Sequence, residues 1–197
     1  MKFLRAMPLA LTAIRLLLGP AFMVAHRYGV AVEWLVLMVV AALVTDWLDG
    51  FAARRWNAIS AAGKLLDPFA DALFCMLVFV DFAQHGLMPL WIVIVLIIRE
   101  GLVTFVLRPF AFWRGVVVAA GWMGKFKTGF QFAAMIVVLV LQEPRIAELL
   151  PLQIFVRPLF IAVLGLSVLS GAGYVRDVAK AAVAASPCAG RGCESGK

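Results

Sequence analysis

Four aspartates, Asp46, Asp49, Asp67 and Asp71, recur at helical spacing inside a stretch that otherwise belongs in lipid. The stretch reads Asp46-Trp47-Leu48-Asp49-Gly50-Phe51-Ala52-Ala53-Arg54, then eight residues, then Gly63-Lys64-Leu65-Leu66-Asp67-Pro68-Phe69-Ala70-Asp71. A carboxylate at the centre of a bilayer costs roughly 2.5–3.5 kcal/mol, so four without compensation cost on the order of 10 kcal/mol. A bound divalent cation, or two, is the simplest compensation. An all-oxygen ligand set suits Mg2+ or Mn2+ better than zinc. Paired ions of this kind stabilise the attacking and leaving oxygens of a phosphoryl displacement, so the residue types point to phosphate chemistry.

The spacing supports one shared site. Residues three and four apart share a helix face. Asp46, Asp49, Gly50, Ala53 and Arg54 therefore form one stripe, and Gly63, Asp67 and Asp71 form another. A short loop around Asn57-Ala58-Ile59-Ser60 makes the two helices antiparallel neighbours whose stripes can face each other. Glycine inside a helix costs about 1 kcal/mol against alanine. Gly50 and Gly63 thus suggest close approach of a ligand or a helix, and Ala53 is similarly small. Arg54 offers a planar fork of donors suited to phosphate or a nucleotide. Ser60 can either bond a ligand or cap the following helix.

The elements that must hold these residues are membrane helices. The chain has 197 residues, 64% of them hydrophobic, and a mean hydropathy of +1.01. A span needs about 20 mostly apolar residues. Six apolar stretches can be drawn, at about 9–25, 31–54, 61–82, 89–113, 122–141 and 152–175. Pro20 is an expected kink in the first, and Pro109 falls near the end of the fourth. The fold class is therefore all-α integral membrane, a six-helix bundle over residues 1–183. Residues 184–197 have turn-forming composition and form an expected disordered cytoplasmic tail.

Lys2, Arg5, Arg54, Arg55, Lys64, Arg114, Lys125, Lys127, Arg176 and Lys180 collect on one side of such a bundle. By the positive-inside rule that side is cytoplasmic, with both termini and the aspartates. The net charge of +7 comes with no basic arm or nucleic-acid motif. Cys75, Cys188 and Cys193 give no disulfide framework. Arg15 interrupts the first apolar run, so a retained helix is expected rather than a cleaved signal peptide. It either serves the site or anchors that helix.

A second set of cations lies further along. The fourth stretch carries Ile98-Arg99-Glu100-Gly101, with Arg108 nine residues beyond Arg99. The fifth opens Gly121-Trp122-Met123-Gly124-Lys125-Phe126-Lys127-Thr128. Charges inside membrane helices are functional candidates, and cations hold a phosphorylated acceptor. Arg99, Arg108, Lys125 and Lys127 are therefore the candidate acceptor site. The alternative is that the lysines snorkel to headgroups while Arg99 and Glu100 form a structural pair.

The aspartate stretch resembles the signature of the CDP-alcohol phosphatidyltransferases, Asp-x2-Asp-Gly-x2-Ala-Arg-x8-Gly-x3-Asp-x3-Asp, at every fixed position. The resemblance implies a six-helix membrane fold, usually a homodimer, that transfers a phosphatidyl group from a CDP-linked lipid to an alcohol and releases CMP. It implies that Asp46, Asp49 and Asp67 hold two metal ions. Asp71 would be the general base and a ligand of the second metal. The CDP moiety would lie against Gly50, Arg54 and Ser60, with Ala53 and Gly63 keeping space for it.

Within that family, Ile98-Arg99-Glu100, the Gly124-Lys125-x-Lys127-Thr128 run and the opening Pro8-Leu9-Ala10-Leu11-Thr12-Ala13-Ile14-Arg15 resemble enzymes that use glycerol-3-phosphate. Leu9 departs from the asparagine usual there. The implied reaction joins CDP-diacylglycerol and glycerol-3-phosphate into phosphatidylglycerol phosphate at the cytoplasmic face of the cell's inner membrane. Phosphatidylglycerol, inositol phosphate or serine as acceptor is the nearest rival. A divalent-cation transporter is a rival of another class, against which stands the clustering of the acids at one membrane face.

Overall fold

The computed structural model describes residues 2–56, 61–113, 122–147 and 152–184. Among these, every regular element is helical: α1 (Lys2–Arg27), α2 (Val32–Trp56), α3 (Ala61–Gln84), α4 (Leu90–Gly101), a π-helical segment (Leu102–Leu107), α5 (Arg108–Trp113), α6 (Trp122–Leu141), α7 (Pro144–Ala147) and α8 (Leu152–Ala184). The six apolar stretches correspond to α1, α2, α3, the rod from α4 to α5, α6 and α8. α1 stays helical through Pro20. α8 continues to Ala184, past the apolar run, because Ala179, Ala181, Ala182 and Ala184 are strong helix formers. The short α7 opens on Pro144, whose fixed φ and missing N–H suit a first helical position.

The rod from α4 to α5 departs from the uniform helix expected there. Arg108 donates its N–H to the Val103 carbonyl, five residues back. Pro109 accounts for the widened turn. Its ring would clash with the carbonyl four residues before it, and it has no N–H to offer. The turn relaxes into a π-bulge, which admits one extra residue.

Two helices are long and apolar enough to cross a membrane, Leu90–Ala111 and Ile154–Ala179, and Phe126–Leu141 is a shorter apolar helix. The exterior carries exposed Leu17, Trp34, Leu37, Trp91, Ile94, Ile98, Ile154 and Ile161. A soluble monomer rarely exposes apolar side chains so densely. Lipid accepts them, because in a bilayer the helices associate through packing rather than through exclusion of apolar surface from water. The core is aromatic: Phe74 stacks on Phe132, and Phe79 meets Phe160 edge to face. These pairs tie α3 to α6 and α8.

α1 packs against both α2 and α3. A Cβ on Gly19 would lie 2.7 Å from Leu77 Cδ1, so glycine permits close approach of α1 to α3. α2 and α3 touch each other far less among the described residues. Among the described residues α1 thus joins α2 to α3.

Candidate functional site

Arg15 is the centre of the described site. Its side chain is 0% exposed, and Nη1 lies 2.5 Å from Asp71 Oδ1 and 3.9 Å from Asp46 Oδ1. Nε and Nη2 approach Thr45 Oγ1 at 3.4 and 3.5 Å, and the Thr45 hydroxyl donates to the Ala42 carbonyl at 2.8 Å. Carboxylates from α2 and α3 therefore converge on one cationic nitrogen supplied by α1. Of the two roles open to Arg15, the structure places it in the site. Sequence alone carried a signal for it, an arginine midway through an apolar helix, but not its partners.

This convergence suits a divalent metal. The donors are carboxylate oxygens from two helices, aimed at a shared positive charge, which is the set a hard divalent cation takes. Asp49, Gly50, Ala53 and Arg54 lie on helical backbone in α2, and Gly63 and Asp67 in α3. Their side chains, and that of Lys125 in α6, lie outside the described residues. So does Ser60 altogether.

The second set of cations is buried around one carboxylate. Arg99 Nη1 lies 2.9 Å from Glu100 Oε2, and Lys127 Nζ pairs with Glu100 Oε1. Lys127 is buried rather than snorkelling, and Glu100 is buried with it. Arg99 Nε is buried with no hydrogen-bond partner. Arg108 is near enough for its charge to bear on Arg99 and on Tyr174 of α8. A Cβ on Gly171 would lie 3.0 Å from Arg99 Nε, so α8 leaves room for the guanidinium. Gly171 is thus a neighbour of the Arg99 guanidinium that the apolar pattern of the last helix did not reveal.

Cys75, one turn beyond Asp71 on α3, feels the charges of Asp71, Lys127, Glu100 and Asp46. Charges of both signs thus reach the same part of α3. Such a site can hold a diphosphate through bound cations at one end and a phosphate or alcohol at the other.

The sequence model of the CDP-alcohol phosphatidyltransferase family matches residues 5–173 of the chain. The chain is similar to a CDP-diacylglycerol–glycerol-3-phosphate 3-phosphatidyltransferase of Bacillus subtilis (strain 168), 40% identical over 121 residues, 61% of this chain and 59% of that protein. A protein of the same description from Mycoplasma genitalium is 38% identical over 99 residues, 50% of this chain and 42% of that one. A cardiolipin synthase (CMP-forming) of Streptomyces coelicolor is 44% identical over 69 residues, 35% of this chain and 32% of that one. The chain thus spans between about a third and three fifths of the length of these relatives.

Proposed function

Since the chain belongs to the CDP-alcohol phosphatidyltransferase family, we propose that it transfers a phosphatidyl group from CDP-diacylglycerol to glycerol-3-phosphate, forming phosphatidylglycerol phosphate and CMP. The observation that carries the choice of acceptor is the buried cluster of Arg99 and Lys127 on Glu100, with Arg108 close by. Its cations outnumber its one carboxylate, and Arg99 keeps an unpartnered buried donor. A phosphate dianion suits that excess charge. Two of the relatives described above bear the name of this activity.

In this mechanism Asp71 takes the proton from the 1-hydroxyl of glycerol-3-phosphate. The freed oxygen attacks the β-phosphorus of CDP-diacylglycerol, a new P–O bond forms, and the bond to the CMP oxygen breaks. Asp46, Asp49, Asp67 and Asp71 would hold Mg2+ or Mn2+, two ions whose charge would offset that of the diphosphate and of CMP. Arg15 orients Asp71 and Asp46. Gly50, Ala53, Arg54, Ser60 and Gly63 receive the CDP group, and Arg99, Arg108, Lys125 and Lys127 the acceptor phosphate. The acyl chains stay in the bilayer. The protein crosses the inner membrane six times as a homodimer, with both termini and the site at the cytoplasmic face.

A second reading, phosphatidylglycerol as acceptor, is favoured by the cardiolipin synthase among the relatives. Purified protein given CDP-diacylglycerol, Mg2+ and each of glycerol-3-phosphate, phosphatidylglycerol, inositol phosphate and serine separates them by CMP release. Release with glycerol-3-phosphate is the expected result. Release with another acceptor alone overturns the choice, and cation flux into liposomes without CMP formation favours a transporter.

A further inference from the structure

A second polar cluster lies at the other ends of α1 and α3. His26 is eleven residues after Arg15, and Asp81 ten after Asp71, so about 15 Å of helix separates the two clusters. Asp81 is 1% exposed, and its Oδ2 lies 2.5 Å from His26 Nδ1. His85, one helical turn on, donates from Nδ1 to the Asp81 carbonyl at 2.9 Å. The same nitrogen lies 3.6 Å from Asp81 Oδ1, too far for a hydrogen bond. The two imidazoles stack, with centroids 3.9 Å apart and planes at 25°. His26 Nε2 faces Gln142 Oε1 at 3.2 Å. Gly86, at φ +71°, turns the chain directly after His85.

One ligand atom from each of His26, Asp81 and His85 lies within 4.8 Å of the other two. His26 Nδ1 thus meets the buried carboxylate directly, while His85 Nδ1 meets the main-chain carbonyl of the same residue and lies close to the carboxylate. Two nitrogens and one oxygen form the donor set of a borderline cation such as Zn2+, not of Mg2+. His85 is 34% exposed, which gives an entry path and a place for a water as fourth ligand.

We propose that His26, Asp81 and His85 form a Zn2+-class cation site, separate from the aspartate site and binding independently of it. The ion takes the place of the proton between His26 Nδ1 and Asp81 Oδ2, that proton leaves to solvent, and His85 turns its Nδ1 lone pair to the ion by carrying its own proton on Nε2. Bound there, the ion staples α1 to α3 at the end away from Arg15 and Asp71. The site does not depend on the transferase reading.

The test uses the full chain in detergent, stripped with chelator, in a Cys188→Ser/Cys193→Ser background that removes thiol ligands. Titration with Zn2+ is followed by calorimetry and by Tm, and Co2+ absorption reports the ligand geometry. The proposal expects a Zn2+ site that raises Tm by several degrees, persists in Asp46→Asn, and weakens at least tenfold in His85→Ala. Asp81→Asn provides a second variant, and His85→Gln a milder one should the others fold poorly. Equal Zn2+ affinity in the folded His85 variants, loss of binding in Asp46→Asn alone, or no Zn2+ uptake by the parent protein overturns it.

Discussion

At the scale of single residues, the site depends on how buried charges are matched. Arg15 is fully buried, so its charge must be met, and Asp71 and Asp46 meet it. With Asp71 as base, Asp71→Asn is expected to lower turnover by about 10²- to 10⁴-fold while CDP-lipid binding survives. Parallel assays of CMP release and donor binding check this, and near-normal turnover would move the base elsewhere. Arg15→Met is expected to lower Tm and transfer together. Arg15→Lys recovers only part of both, because an ammonium cannot reproduce the guanidinium fork. Glu100 neutralises two buried cations at once. Glu100→Gln leaves them facing each other and is expected to destabilise the protein by about 3–5 kcal/mol, read from unfolding in detergent.

At the scale of elements, the π-segment and α8 shape the acceptor side. At about 100° per residue, nine residues would put Arg108 on the face of the rod opposite Arg99. The extra residue held by the π-bulge turns Arg108 back by roughly 100°, where its charge bears on Arg99. Gly171 of α8 completes this side by leaving room for the Arg99 guanidinium. Gly171→Val is expected to push that group aside and raise the apparent KM for the acceptor between about 10- and 100-fold, with a smaller effect on the donor. Gly165→Ala, whose Cβ would meet nothing within 4 Å, is the control in the same helix. Kinetics with each substrate varied in turn separate the two, and equal KM values would detach α8 from the acceptor.

At the scale of the whole molecule, the apolar exterior and the placement of charge support the proposed orientation. Exposed Trp34 and Trp91 open α2 and the α4 rod, while Trp47 and Trp113 lie toward the opposite ends. Tryptophans in this arrangement suit the two interfaces of a bilayer. The proposed topology puts the C-terminal tail in the cytoplasm. A membrane-impermeant maleimide is therefore expected to label Cys188 and Cys193 in inside-out vesicles and not in intact cells. Cys75, 5% exposed, stays unlabelled in both. Labelling of the tail from outside would reverse the orientation.

The sequence by itself determined the helical class and the aspartate signature, since both follow from local periodicity: an apolar run makes a membrane helix, and spacings of three and four fix a face. Residues 5–173 match the family that this signature resembles. The sequence did not reveal that α1 joins α2 to α3 through Arg15, that a π-bulge re-aims Arg108, or that Gly171 accommodates Arg99. Nor did it bring His26 to Asp81 and His85. Those are encounters between residues far apart in the chain, and only the packing of one helix on another decides which of many possible faces meet.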